Sequence, residues 1–300
     1  MRILVTGGAG FIGSHITDFL IEKGHKVAVI DDLSHGRREN LNKKAVFFKE
    51  NICSLAIKTI FNRFKPEAVS HQAALVNVNQ SLQQPLADVR VNVGGTLQVL
   101  EAAKACKTKQ VIFASSVAVY GDTDKFPIKE NAGISPISIY GVSKATAEAY
   151  LMLYQDHFKV AILRYANVYG PRQVGGAEGG VVAIFSQAIQ KGRKCRIFGN
   201  GRQTRDFVFV RDIAKANYLA IKKAKSGIFN VSAGKEISIL RLCCLCQEIT
   251  GTKEEPVFNK PRKGDIYKSV LDNNLIKKSL SWQPKIPLKK GLIETMASFS

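Results

Sequence analysis

A strand, a glycine-rich turn and a helix follow one another at the start of the sequence. Ile3–Val5 is a short apolar strand, and a helix is predicted over Phe11–Lys23. Between them, Gly7, Gly10 and Gly13 form the pattern Gly-x-x-Gly-x-x-Gly. Glycines let such a turn tighten and let the backbone approach a pyrophosphate, while the helix N-terminus supplies N–H groups and the positive end of its dipole. The order of these elements predicts a phosphate-binding turn.

An acidic residue follows at the spacing of a dinucleotide site. Asp31 lies 18 residues after Gly13, at the end of the second predicted strand. A carboxylate there can bind ribose hydroxyls and repels a 2′-phosphate. Arg37 lies nearby and would favour NADP, but the adjacent carboxylates of Asp31 and Asp32 favour NAD. The alternative is a glycine turn that serves packing alone.

Strands continue to alternate with helices through the first half of the chain. The further predicted strands are Lys26–Asp31, Ala45–Asn51, Ala68–His71, Gln110–Ala114 and Val160–Leu163, and the longest helices are Leu82–Lys104 and Gly141–Phe158. This alternation is typical of a doubly wound parallel sheet. We therefore predict an α/β fold with an NAD-binding Rossmann domain over residues 1–170.

The pattern breaks after Pro171. The glycine-rich segment 175–180 is predicted to be a flexible loop that covers a ligand. Short strands then mix with helices. We predict that residues 171–204 and 233–300 form a smaller mixed α/β substrate domain, while elements from about 205–232 return to the Rossmann domain.

Composition limits the classes of partner. The net charge is +20, but the lysines come in scattered pairs without an aromatic-rich basic stripe. A nucleic-acid groove is therefore not indicated, although a basic surface attracts an anionic substrate. No run approaches roughly 18 apolar residues, so no membrane span is predicted. Six cysteines without framework spacing fit a reducing cytoplasm, and Cys243, Cys244 and Cys246 fall on different faces of a predicted helix, so no metal site is expected.

Tyr140 and Lys144 are candidates for proton transfer. Residues four apart share one face of a helix, with about 5–6 Å between their Cβ atoms. A phenol has an ordinary pKa of about 10, and a fixed ammonium one turn away favours the phenolate. The pair alone is also compatible with an exposed helix pair, so its meaning depends on the rest of the chain.

Ordered motifs along the chain carry a family resemblance. They are Thr6-Gly-Gly-Ala-Gly-Phe-Ile-Gly-Ser-His15, Asp31-Asp-Leu-Ser34, His71-Gln-Ala-Ala74, Asn92-Val-Gly-Gly-Thr96, Ala114-Ser-Ser-Val-Ala-Val-Tyr-Gly121 and Tyr140-Gly-Val-Ser-Lys144. The set resembles the extended short-chain dehydrogenase/reductase family, and within it the UDP-glucose 4-epimerase-like nucleotide-sugar epimerases. The likeness continues through Leu163–Arg172, Gln203–Asp206 and Arg262–Asp265, and covers nearly the whole chain.

The resemblance implies roles for three catalytic residues. Tyr140 would take the proton of the sugar 4-hydroxyl, Lys144 would lower the pKa of Tyr140 and hold the nicotinamide ribose, and Ser116 would hydrogen-bond the sugar oxygen. Hydride would leave C4 for NAD and return to the other face of the 4-keto sugar. Related dehydratases usually carry a carboxylate just after this serine, where this chain has Val117 and Ala118.

The resemblance also implies a larger cofactor site. Its residues are Gly7, Gly10, Phe11, Ile12, Gly13, Asp31, Asp32, Ser34, Gly36, Asn51, Ile52, Ala73, Ala74, Leu75, Asn92, Ser115, Tyr140 and Lys144. Asn92 would orient the loop on the nicotinamide side. Asn51 departs from the family pattern, which commonly has aspartate beside the adenine.

On the nucleotide-sugar side the resemblance implies a cationic diphosphate site. Its residues are Ser116, Asn167, Val182, Arg205, Arg262, Asp265 and Ser269. The two arginines would bind the diphosphate, since the guanidinium fork suits phosphate oxygens. Asp265 would bind the uridine ribose. Ser269 falls at the gate of the sugar pocket, where a small residue leaves room for an N-acetyl group.

The expected function is NAD-dependent epimerisation at C4 of a UDP-hexose by a homodimer that binds no nucleic acid. Relatives commonly dimerise through the two helices predicted over Leu82–Lys104 and Gly141–Phe158. One alternative is a nucleotide-sugar dehydratase, decarboxylase or reductase on the same scaffold. Another is a catalytically silent NAD-binding sensor or scaffold, attached to nucleic acid by its basic surface.

Overall fold

The computed structural model describes residues 1–175, 180–262 and 265–299. The strands are β1 (Arg2–Thr6), β2 (Lys26–Asp31), β3 (Val46–Lys49), β4 (Ala68–His71), β5 (Gln110–Ser116), β6 (Lys159–Tyr165), β7 (Asn167–Tyr169), β8 (Arg196–Phe198), β9 (Thr204–Phe209), β10 (Gly227–Val231), β11 (Glu236–Ser238) and β12 (Val257–Asn259). The α-helices are α1 (Phe11–Glu22), α2 (Ala56–Phe64), α3 (Val78–Gln83), α4 (Pro85–Asp88), α5 (Thr96–Ala105), α6 (Ile139–Leu153), α7 (Val181–Gln190), α8 (Val210–Lys223), α9 (Ile239–Thr250), α10 (Asn274–Leu280) and α11 (Leu288–Ala297).

Seven strands form one sheet in the order β10-β6-β5-β4-β1-β2-β3. Every neighbouring pair in this sheet is parallel. The direction of sheet growth reverses between β1 and β4, and at such a point the carboxyl ends of the strands open a crevice in which ligands bind. The predicted doubly wound parallel sheet is confirmed.

Alternate residues of the central strands feed two cores, one on each face of the sheet. In β1, Ile3 and Val5 join a cluster with Ile16 of α1 and Ile213 of α8. Leu4 points the other way, into a cluster with residues of α2, α5 and α6. The side-chain period of two along a strand accounts for this division. Helices therefore cover both faces, and the carboxyl edge is left for the site.

The prediction of a single helix over Leu82–Lys104 is wrong. The chain instead forms α3, α4, a π-helical segment over Val89–Gly95 and then α5. Pro85 explains the first break, because proline lacks an N–H and disfavours helical geometry in the preceding residue. Gln84 accordingly adopts φ −131° and ψ 62°.

The second half of the chain contributes to three sheets. β10 forms an edge of the large sheet, whereas β9 pairs with β7 and β11 in a three-stranded mixed sheet, and β8 pairs with β12. A third core lies around the small sheets and includes buried Cys195, Cys243 and Cys246. Residues 176–179 of the predicted glycine loop lie outside the described residues. No helix in the described part of the chain is long and apolar enough to cross a membrane.

Candidate active site

The glycine turn between β1 and α1 is packed too tightly for other residues. A Cβ atom on Gly13 would lie 2.1 Å from the carbonyl oxygen of Gly7. Gly7 has φ +67°, and a Cβ there would lie 2.8 Å from the backbone nitrogen of Ala73. The turn therefore brings the N-terminus of α1 close to the end of β4, which forms the cradle that a pyrophosphate requires.

A cavity of about 500 Å³ opens over this turn. Of the predicted cofactor residues, those lining it are Gly7, Gly10, Phe11, Ile12, Gly13, Asp31, Asp32, Ser34, Gly36, Asn51, Ile52, Ala73, Ala74, Leu75, Ser115, Tyr140 and Lys144. Asn92 lies behind the wall. Its Oδ1 accepts from the Leu75 N–H at 2.8 Å and its Nδ2 donates to the Leu75 carbonyl at 2.9 Å, so it fixes the loop.

Carboxylates occupy the end of the cavity beyond β2. Asp31 accepts backbone N–H bonds from Ala9 and Leu33, both at 2.9 Å, and burial raises its pKa. Asp32 accepts a bond of 2.6 Å from the Asn51 amide, whose own oxygen accepts from the backbone of Cys53 at 2.8 Å. The cradle and this acidic end fit the pyrophosphate and the ribose of a dinucleotide. Asn51, the departure from the family pattern, is engaged within the protein.

The strand end of β5 and the first turns of α6 bring Ser116, Tyr140 and Lys144 together. Ser138 caps α6 through a 3.0 Å bond from the Gly141 N–H, which places Tyr140 in the first turn. The Ser116 side chain lies beside that of Tyr140, near enough for its hydroxyl to oppose the effect of burial on the pKa of the phenol. Lys144 is buried, and its Nζ lies 5.9 Å from the centroid of the Tyr140 ring. The arrangement is that of a phenol with a hydroxyl and an ammonium for neighbours.

Burial dominates the ionisation of this pair. Burial raises the pKa of Tyr140 to about 12; the negative charge of Asp88 adds to this shift, and Ser116 opposes it. Burial lowers the pKa of Lys144 to about 8, and the carboxylates of Asp88 and Glu148 oppose this shift. The role expected of Lys144, that it lowers the pKa of Tyr140, stays a prediction. The Lys144 ammonium donates to the Ala114 carbonyl at 2.8 Å.

A second cavity, of about 810 Å³, is lined by cations. Arg205 forms an ion pair with Asp265, and the Arg262 guanidinium lies 3.9 Å from the centroid of the Phe198 ring. Asn167 also lines this cavity. The cavity thus brings together four of the seven residues predicted for the nucleotide-sugar site.

The other three predicted substrate residues line neither cavity. Val182 is buried in the third core beside Val181, which does line the second cavity. Ser269 is 5% exposed, and its hydroxyl has no partner among the described residues. Ser116 meets Tyr140 instead, as described above.

Sequence reasoning missed four further cations on the wall of the second cavity. They are Lys191, Arg193, Lys194 and Arg196, and with the two predicted arginines they give six cationic side chains on that wall. Phe198 was missed as well. The signal was present as a short basic run that leads into β8, and it was passed over because the positive charge is scattered along the whole chain.

A glycine cradle at the switch point of a parallel sheet, next to a Ser–Tyr–Lys group, defines a dinucleotide-dependent enzyme of the α/β class. The chain belongs to the NAD dependent epimerase/dehydratase family, whose sequence model matches residues 3–232. The predicted family membership is thereby confirmed.

Full-length relatives share this fold. The chain is 41% identical over 308 residues to a UDP-glucose 4-epimerase of Mycolicibacterium smegmatis, with 100% of this chain and 98% of that protein covered. A crystal structure of UDP-glucose 4-epimerase from Thermotoga maritima with UDP-glucose is 44% identical, has a TM-score of 0.97 and is covered over 98% of its chain. A complex of the Thermus thermophilus UDP-glucose 4-epimerase with NAD is 38% identical, with a TM-score of 0.94; 100% of this chain and 99% of that chain are covered.

Proposed function

We propose that this protein interconverts UDP-hexoses by NAD-dependent epimerisation at C4. The observation that carries the proposal is the Tyr140 phenol, held between the Ser116 hydroxyl and the Lys144 ammonium on the wall of the dinucleotide cavity. The family match and the UDP-glucose and NAD complexes of its structural relatives support the choice of substrate and cofactor.

The three side chains divide the proton chemistry between them. Ser116 donates a hydrogen bond to the C4 oxygen of the sugar, and Tyr140 takes the hydroxyl proton as the C4–H bond breaks and gives it back when that bond re-forms on the other face. Lys144 contributes a fixed positive charge that opposes the effect of burial on the phenol. When bound, NAD supplies the acceptor for the C4 hydride and, in its oxidised form, a second positive charge nearby.

The cation-lined cavity suits the nucleotide diphosphate. Arg205 and Arg262 can each present a planar fork to phosphate oxygens, and Asp265 offers a carboxylate for ribose hydroxyls. Holding the nucleotide there leaves the sugar free to present either face of its C4 carbon to the cofactor.

The test is a panel of UDP- and dTDP-sugars, with products resolved by their C4 configuration. The wild type should interconvert the C4 epimers of a UDP-hexose. Tyr140→Phe should lower turnover by about 10²–10⁴-fold while bound NAD is retained. Tyr150→Phe is a matched control, because Tyr150 is exposed on the same helix. Near-normal turnover in Tyr140→Phe would remove Tyr140 from the mechanism.

The same panel separates the alternatives. A dehydratase would release a 4-keto-6-deoxy sugar, a reductase would consume added reduced cofactor, and a silent sensor would bind NAD and turn over no sugar. The segment after Ser116 is a short 3₁₀ turn of Val117, Ala118 and Val119. Since it offers no carboxylate, dehydration has no base at that position.

We also propose that the sugar pocket tolerates an N-acetyl group, because the residue at the gate is the small, buried Ser269. Ser269→Tyr should lower activity on UDP-N-acetylglucosamine more than on UDP-glucose, whereas Ser269→Ala should leave the ratio of the two activities unchanged. An unchanged ratio in Ser269→Tyr would show that this residue is not the gate.

A homodimer through the α3–α6 region is proposed from exposed apolar side chains. Leu82, Leu86, Val142 and Leu153 are all between 49% and 85% exposed on α3, α4 and α6. The three helices are neighbours, and exposed apolar side chains on neighbouring elements favour a protein interface. Leu86→Glu should shift the molar mass measured by light scattering from dimer towards monomer, and an unchanged mass would exclude this face.

A further inference from the structure

Asp88 is a buried carboxylate that the mechanism above does not use. It is the last residue of α4, directly before the π-helical segment, and it is 1% exposed. Its Oδ1 atom is buried and has no hydrogen-bond partner among the described residues. An ionised carboxylate in such a place is costly unless nearby positive charge stabilises it.

Hydrogen bonds tie Asp88 to both the cofactor wall and the catalytic helix. Its Oδ2 accepts from the Asn92 amide at 2.9 Å. The same amide holds the carbonyl of Leu75, in the wall of the dinucleotide cavity, at 2.9 Å, and lies 3.3 Å from the hydroxyl of Ser143. Ser143 directly precedes Lys144 in α6, so Asp88 sits where the cofactor wall meets the catalytic pair.

The negative charge of Asp88 acts on both members of the catalytic pair, since it raises the pKa of Lys144 and that of Tyr140. Lys144 has two carboxylate neighbours, Asp88 and Glu148. Glu148 already forms a two-point pair with Arg164, at 2.9 and 2.6 Å, and it accepts a further bond from Ser115. Asp88 takes part in no ion pair among the described residues. Burial raises the pKa of its own carboxyl, and the positive charge of Lys144 opposes that shift, so the two groups stabilise each other's charged forms.

We propose that Asp88 is a positioning residue of this active site, which acts through Lys144 by keeping its buried ammonium charged beside Tyr140. The proposal rests on the proposed function, in which that ammonium stabilises the phenolate. Asp88 is then a fourth side chain of the active site. It touches neither sugar nor cofactor, but it sets the charge state of Lys144.

The direction of the effect follows from the groups around Lys144. Asp88 and Glu148 raise its pKa, and His71, the nearest imidazole, has its own pKa lowered to about 3 by burial and by Lys144, so it stays neutral. Without the Asp88 charge, Lys144 should lose its proton at a lower pH. The active enzyme, in which Lys144 is charged, would then be lost at a lower pH.

The experiment compares two substitutions at Asp88 with one control. Asp88→Asn keeps the shape and can still accept from Asn92, whereas Asp88→Ala removes both the charge and the bond. Both should move the alkaline limb of the kcat/KM profile for UDP-hexose epimerisation to lower pH by about one unit or more. Glu101→Gln, which removes an exposed carboxylate on α5, should leave the profile in place.

A second measurement needs no turnover. The titration of Lys144 is followed by NMR of ¹³Cε-labelled lysine, with its signal identified by its loss in Lys144→Met. Its midpoint should fall by about one unit in Asp88→Asn. Unmoved midpoints in both Asp88 variants would overturn the proposal, as would an equal shift in Glu101→Gln. If the wild type turned over no UDP-sugar while the NMR midpoint moved, the proposed function would fail and the electrostatic role of Asp88 would stand.

Discussion

The two cavities of this protein are built in different ways. The dinucleotide cavity is made largely of backbone, where glycines bring β1, α1 and the end of β4 together. The second cavity is made of charged side chains from β9, from the run before β8 and from the segment around Asp265. A site made of backbone needs a short local pattern, whereas a site made of side chains needs distant segments to meet.

The largest expected effect comes from adding one methyl group to the glycine turn of the dinucleotide cavity. In Gly13→Ala, the new Cβ atom would collide with the backbone of Gly7 at 2.1 Å. Overpacking of this kind typically costs about 1–3 kcal/mol or more. The purified variant should therefore lose its bound NAD, measured by absorbance after acid release, and should melt at a lower temperature.

Gly133→Ala is the matched control for this variant. A Cβ atom on Gly133 would meet no heavy atom within 4 Å, and its φ is not in the left-handed region. It should keep both the NAD content and the melting temperature of the wild type. A Gly13→Ala protein with full NAD content would show that the turn tolerates more than its geometry allows.

A smaller effect is expected from a single cation of the second cavity. Arg262→Met should raise the KM for the UDP-sugar by about 10–100-fold, because a hydrogen bond to a charged group is worth about 1.5–3 kcal/mol. Its NAD content should stay unchanged, since Arg262 does not line the dinucleotide cavity. Steady-state kinetics measures the KM for the UDP-sugar, and cofactor analysis of the same preparation measures its NAD content.

Arg202→Met provides the comparison, because Arg202 is exposed and lies outside the lining of the second cavity. It should leave KM close to the wild-type value. Loss of NAD from Arg262→Met, rather than loss of substrate affinity, would contradict the separation of the two sites.

The sequence predicted the backbone-made cavity well because its signals are local. Lys26–Asp31 and Ala68–His71 were predicted with the boundaries that the structure has, and the residues after them line the cavity. Features that depend on distant segments are harder to predict. The charge of Asp88 was overlooked because it depends on which segments pack around it, and for the same reason the place of Ser269 at the sugar gate stays a prediction.

The ionisation of Tyr140 shows the same limit. The four-residue spacing correctly placed Lys144 on the face of α6 next to Tyr140. Spacing does not reveal that the ammonium donates to Ala114, nor how strongly burial raises the pKa of Tyr140. Local pattern fixes which residues are neighbours, while the tertiary environment decides their charge.

The smallest predicted effect concerns Asn51, where local pattern and tertiary environment meet. In Asn51→Asp, a carboxylate would replace the amide that donates to Asp32 at 2.6 Å. Two carboxylates so close share a proton, which raises the pKa of one of them above its value in the unfolded chain. The folded variant then binds that proton more tightly, so its stability loss is absent at low pH and develops as the pH rises through the raised pKa.

The free energy of unfolding of Asn51→Asp should therefore approach that of the wild type near about pH 3 and fall below it near about pH 7, by about 1 kcal/mol or less, since solvent screens this partly exposed pair. Asn51→Ala loses the same hydrogen bond without adding a charge, so its deficit near about pH 7 should be smaller than that of Asn51→Asp. A pH-independent deficit in Asn51→Asp would mean that Asp32 turns away from the new carboxylate. Asp32 thus explains the asparagine at position 51. Because Asn51 is neutral, it adds no further negative charge beside Asp31 and Asp32 at the end of β2.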